Sequence, residues 1–177
     1  MAMQCGVSFG DCSDALSSFG GVARRFDKRG EDGGVTFIDD YAHLPTEIAA
    51  VLAASRDETD NWKRVVAVFQ PNRFNRMNVL SPQYANAFVG ADLIVITEIY
   101  ASGTTPIEGV TGHLVVEAVQ QAHPKATVVW QPTRSGLIDF LASELAAGDL
   151  CVSMGCGDIE SLPDEVIARR TAQRGET

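Results

Sequence analysis

Four short β-branched apolar runs, Lys63–Phe69, Asp92–Ile99, Ala126–Trp130 and Asp149–Met154, are each separated from the next by a segment of helix length. Apolar runs without polar alternation are what strands buried on both faces need. The flanking segments carry apolar residues at helical spacing: Ile48, Val51 and Leu52; Leu114, Val115, Ala118 and Val119; Leu137, Ile138, Leu141 and Leu145; Val166 and Ile167. Pro45 and Pro163 sit where first-turn prolines belong. Strand and helix alternating in this way require crossover connections, so the predicted fold is doubly wound α/β, Rossmann-like, with helices on both faces of a mainly parallel sheet.

The chain before this alternation reads differently. Val22–Arg29 and Val35–Ile38, separated by the turn-rich Gly30-Glu31-Asp32-Gly33-Gly34, predict an antiparallel hairpin at one sheet edge. Upstream, Asp11–Phe19 predicts a short helix, with Ser8 or Asp11 as N-cap and Gly20-Gly21 ending it. Met1–Cys5 looks like a last helical turn stopped by Gly6, so residues 1–10 read as the remnant of a preceding segment; a chain that simply starts there is the other reading. Residues 11–170 form one domain, and the polar residues 171–177 are expected to fray.

Composition narrows the function. The net charge of -9 argues against a duplex-binding surface, so no nucleic acid partner is expected. The apolar runs are too short to span a bilayer, and no secretory signal opens the chain, so a soluble cytoplasmic protein is expected. Cys5, Cys12, Cys151 and Cys156 lack metal-site or redox spacing and read as reduced thiols. His43, His113 and His123 are scattered, so no metal site is expected; neither a GxxxxGK[ST] phosphate loop nor a GxSxG elbow occurs.

Ligands of open α/β sheets sit beyond the carboxyl ends of the strands, and there the unusual residues collect. Asp39-Asp40-Tyr41-Ala42-His43 precedes Leu44-Pro45-Thr46-Glu47, where Thr46 and Glu47 suit helix capping and His43 is left without a structural role. Gln70-Pro71-Asn72-Arg73-Phe74-Asn75-Arg76 places two arginines three residues apart, a pattern that fits a carboxylate or phosphate, or else a solvated surface pair. Glu98 to Pro106 is a small polar loop. Gly155-Cys156-Gly157-Asp158 follows the last strand, the wrong place for a dinucleotide fingerprint, and its glycines suit close backbone approach.

Taken in order, Phe19 to Phe26, Asp39 to Glu47, Gln70 to Arg76, Tyr100 to Ile107 and Gly155 to Ile159 resemble the C-terminal domain of Mur ligases, and its alanine-adding members most. The resemblance covers about Gly6 to Arg170. It implies a domain of an ATP-dependent ligase of peptidoglycan precursor synthesis, which joins L-alanine to UDP-N-acetylmuramate through an acyl phosphate. ATP and Mg2+ would serve the complete enzyme, UDP-N-acetylmuramate would be held by other domains, and this domain alone would hold no cofactor and be inactive. By motif position Arg25, Asp40 and His43 would contact ATP and its ribose; Asn72, Arg73 and Arg76 would bind the amino acid; Tyr100, Gly155, Gly157 and Asp158 would serve loop closure. No catalytic residue is implied within the domain. The pattern departs from the family at Leu44, Asn72, Phe74 and Thr104, where a second histidine, a histidine, a tyrosine and an acid are usual. The alternative is a free-standing module of the same fold that binds an amino acid or nucleotide without chemistry.

Overall fold

A computed structural model describes residues 2–18, 22–56 and 62–175. Ala2–Cys5 forms a 3-10 turn ahead of α1 (Phe9–Ser17), where the Ser8 hydroxyl accepts the Asp11 amide as N-cap. The expected stop at Gly20-Gly21 lies outside the described residues. The hairpin follows as β1 (Asp27–Asp32) and β2 (Val35–Asp40), paired antiparallel. Its first strand begins later than the sequence suggested because Arg24 and Phe26 adopt left-handed backbone, φ 59° and 49°, which no strand accommodates. The turn is correspondingly shorter. Only Gly33 and Gly34 connect the strands, both at positive φ, while Gly30 is absorbed beside a register shift within β1.

The remaining elements alternate as the apolar runs require: α2 (Pro45–Ala54), β3 (Arg64–Phe69), α3 (Phe74–Leu80), β4 (Leu93–Ile96), α4 (His113–Ala122), β5 (Val128–Trp130), α5 (Arg134–Glu144), β6 (Asp149–Met154) and α6 (Leu162–Gly175). The six strands lie in the order β1-β2-β6-β3-β4-β5, and every pair except β1–β2 is parallel. Side-chain alternation along β3 divides the core. Val65, Ala67 and Phe69 pack with Ile48 and Leu52 of α2 and Val115 and Val119 of α4, whereas Val66 and Val68 pack with Leu137 and Leu141 of α5 and Val166 of α6. The sheet is thus covered on both faces.

Helix α3, followed by a 3-10 turn over Ser81–Asn86, occupies the helix-length segment between β3 and β4, where no apolar spacing marked out a helix. The helix has no side-chain N-cap and starts from Arg73 at φ 66°, so it lacks the usual start signals. The polar tail expected to fray is instead helical as far as Gly175. Arg170 and Arg174 both reach back to Asp32 at the hairpin turn, and Arg170 also donates to the carbonyls of Ala142 and Leu145. The Arg174 hydrogen bond is the main cause that holds the Asp32 carboxyl at about 2, below its ordinary 3.8, against the opposing effect of burial.

Two outcomes follow from this anchor. Replacing the almost fully buried Arg170 with alanine leaves Asp32 to Arg174 alone and strands the Ala142 and Leu145 carbonyls, and urea unfolding should show a loss of about 2 kcal/mol; a loss below about 0.5 kcal/mol would contradict the anchoring role. Because the folded carboxyl is depressed, the stability it contributes is complete above pH 3.8 and is lost as pH falls towards about 2, so the acid-unfolding profile of Asp32→Asn should flatten in that window.

Candidate functional site at the carboxyl ends of the strands

Strands β2, β6 and β3 end side by side. The pairing continues past them, since the Gly155 amide donates to the Asp40 carbonyl at 3.1 Å and the Gln70 amide to the Met154 carbonyl at 3.0 Å. Arg24 binds these ends together. Its Nε donates to the buried Asp39 at 2.9 Å, one terminal nitrogen donates to the Gly155 carbonyl at 2.7 Å, and the other pairs with Glu160 at 3.0 Å. Its own carbonyl accepts the Tyr41 amide at 2.8 Å. Burial raises the Asp39 carboxyl above the ordinary carboxylate range, and Arg24 opposes that rise without cancelling it. The sequence singled out Arg25, but it is Arg24 that carries this network. Only a buried acid in the neighbouring strand distinguishes them, and that is not visible in sequence.

Arg25 is exposed, with its guanidinium 5.6 Å from the Tyr41 ring centre. Asp40 is engaged by backbone amides. It is 4% exposed, and its two oxygens accept the Phe26 amide at 2.7 Å and the Ala42 amide at 2.8 Å. Its carboxylate therefore shapes the 24–26 turn and the start of the loop after β2. His43 is held inward, with Nδ1 3.0 Å from the Tyr41 carbonyl and the ring edge-on to Tyr41 at 5.4 Å. Glu47 accepts the amides of His43 and Leu44 at 2.9 and 3.1 Å. Burial pushes its carboxyl up, and these amides more than offset that, leaving it below the ordinary glutamate value.

The loop after β3 is built against the loop after β4. The Tyr100 amide donates to the Pro71 carbonyl, and the Arg73 amide donates to the Tyr100 carbonyl, both at 2.9 Å, so that Asn72 bridges Tyr100 in parallel. Arg73 points its turn at positive φ and is exposed, whereas Arg76 is half-buried one helical turn on. Among the described residues, two buried side-chain nitrogens lack a partner: Asn72 Nδ2 and one guanidinium nitrogen of Arg76. Leaving a buried donor unpaired costs about 1–3 kcal/mol, so both are poised for an acceptor.

Tyr100, Gly157 and Asp158 meet beside this loop. A Cβ on Gly157 would lie 2.4 Å from Tyr100 Cγ and 2.5 Å from Gln70 Oε1. Gln70 Nε2 donates to Asp158 at 2.7 Å, and one on Gly155 would press on the Gln70 carbonyl at 3.0 Å. An open cavity of about 490 Å³ lies here, lined by Gln70, Glu98, Tyr100, Ser102, Arg134 and Asp158. Among the described residues no group of three or more His, Cys, Asp or Glu side chains is arranged to hold a metal, and all four cysteines are free thiols. No helix among them is long and apolar enough to cross a membrane.

Residues 24–157 match the family model described as "Mur ligase, glutamate ligase domain", and the chain belongs to this family. The chain is 41% identical over 92% of its length to the UDP-N-acetylmuramate–L-alanine ligase of Trichormus variabilis, and 40% identical over 90% to that of Rubrobacter xylanophilus. It spans about a third of the length of these relatives, 32% and 36%. Among solved structures, the UDP-N-acetylmuramate-alanine ligase MurC of Thermotoga maritima shares the fold at TM-score 0.75 and 24% identity, covering 96% of this chain and 35% of that one. A domain of a Mur-type ligase from Haemophilus ducreyi does so at TM-score 0.61 and 19% identity, with 82% of this chain covering 99% of it.

The contact between Gly157 and Tyr100 supplies a direct check. Gly157→Ala should destabilise the chain by about 1–3 kcal/mol in urea and displace the Tyr100 ring in the aromatic NMR spectrum; an unmoved ring with full stability would contradict the close approach.

Proposed function

We propose that this chain is the C-terminal domain of an ATP-dependent ligase that joins L-alanine to UDP-N-acetylmuramate, and that its strand-end loops hold the incoming amino acid by the carboxylate. The observation that carries this reading is the pair of buried, unpartnered donors on Asn72 and Arg76. A carboxylate offers several acceptor lone pairs and one negative charge, which suits an amide N–H and a guanidinium together. Arg73, exposed at the mouth of the same loop, adds a second positive charge. With its carboxylate held this way, the amino acid keeps its amine clear for attack on an activated acyl carbon. The contribution of these residues is position and charge.

ATP, when bound in the complete enzyme, supplies the phosphoryl group that activates the acceptor carboxylate. The fit of this chain to the nucleotide is partial. Arg25 beside the partly open Tyr41 ring suits an anionic or ribose group, and Asp40 supports it by fixing Phe26 and Ala42 through their amides. The sequence has no phosphate loop, so the chain by itself is proposed to give no ADP release with all substrates present. Exposed Phe9 and Leu16 on α1 supply an apolar face that a further domain would cover. The identity to alanine-adding relatives supports the choice of L-alanine.

Calorimetric titration separates the two sets of residues. L-Alanine should bind the chain, Arg76→Ala should weaken it roughly tenfold or more through loss of a charged hydrogen bond, and Arg25→Ala should leave it within about twofold. An Arg76→Ala variant that binds L-alanine as tightly as the unaltered chain would sink the assignment.

A further inference from the structure

Tyr84 stands outside every motif that marks the strand-end loops, yet it connects them. It lies in the 3-10 turn after α3 and is wholly buried. Its ring stacks on Phe69, the last residue of β3, with centroids 5.3 Å apart. Its hydroxyl donates to the His43 carbonyl at 2.7 Å. One side chain thus packs under the strand that launches Asn72 and Arg76 and also grips the loop after β2. Phenylalanine would fill the same core space, so the hydroxyl has a separate use: a buried Tyr O–H is retained where it has a partner to hold.

From this geometry we infer that Tyr84 is a positioning residue of the amino-acid site, fixing the His43 loop at a set distance from the Arg76 side chain. The inference rests on the carboxylate-binding reading above. Burial pushes the Tyr84 phenol up to about 12, with Arg76 lowering it and Glu47 and Cys156 raising it, so the side chains that bear on the hydroxyl come from α3, α2 and the loop after β6. The phenol remains a proton donor throughout the neutral range. Without the hydroxyl, the hydrogen bond that ties the His43 carbonyl to the turn after α3 is lost.

Tyr84→Phe keeps the ring and removes only the donor. In the variant the amide spectrum outside residues 41–47 and α3 should match the unaltered chain. The His43 imidazole and the Ala42–Leu44 amides should shift, their hydrogen exchange should quicken about tenfold, and L-alanine affinity should fall roughly three- to tenfold. His43 signals and exchange rates identical to those of the unaltered chain would overturn the positioning role. So would an unchanged L-alanine affinity in a variant whose His43 signals move. If the unaltered chain binds no L-alanine, the carboxylate reading fails by itself, while the His43 signals and exchange still decide whether Tyr84 sets the loop.

Discussion

The Arg24 guanidinium is the interaction on which the strand-end architecture depends. It joins the buried Asp39 of β2, the carbonyl at the end of β6 and the acid of the following turn, and the chain bends through a left-handed residue to put it there. Parallel strands leave their ends to loops, and loops alone fix little. With Arg24 in place, the loop after β2 and the loop after β6 share one buried anchor, and the loop after β3 joins the loop after β6 on its other side through Gln70 and Asp158. A buried ion pair of this kind contributes little net stability against well-packed apolar residues, but removing one partner is strongly unfavourable. Its value here is geometric.

How much of this was legible in the sequence depends on the range of the interaction. Strands β3 to β6 and helices α2, α4, α5 and α6 were visible because their periodicity is local and the sheet is buried on both faces. The beginning of β1 was not, because Arg24 and Phe26 take positive φ with residue types that do not signal it. Helix α3 was hidden behind an arginine at its N-cap, and the order at the C-terminus depends on Asp32, far away in sequence. The site divides in the same way. Arg73 and Arg76 stood out as paired cations after a strand and Asn72 entered by motif position, whereas the use of Asp40 by backbone amides and the reach of Tyr84 to His43 are decided by tertiary packing.

The overall acidity of the chain proves a poor guide to its ligand. A net charge of -9 averages over a surface where most arginines are spent on carboxylates: Arg24 on Asp39, Arg64 on Asp149 and Glu144, Arg134 on Glu165, Arg170 on Asp32. Arg76 differs from them in keeping a buried nitrogen without an acceptor, and Asn72, four residues earlier, is in the same condition. Local incompleteness, more than net charge, points to an anion. Under the proposed function that anion is the carboxylate of an amino acid.

The most direct test of this account is a crystal structure of the chain with L-alanine bound. The account predicts the alanine carboxylate within hydrogen-bond distance of Asn72 Nδ2 and the Arg76 guanidinium, with the amine turned towards open solvent where another domain would close. Alanine bound elsewhere, or bound with its amine against Arg76, would contradict it.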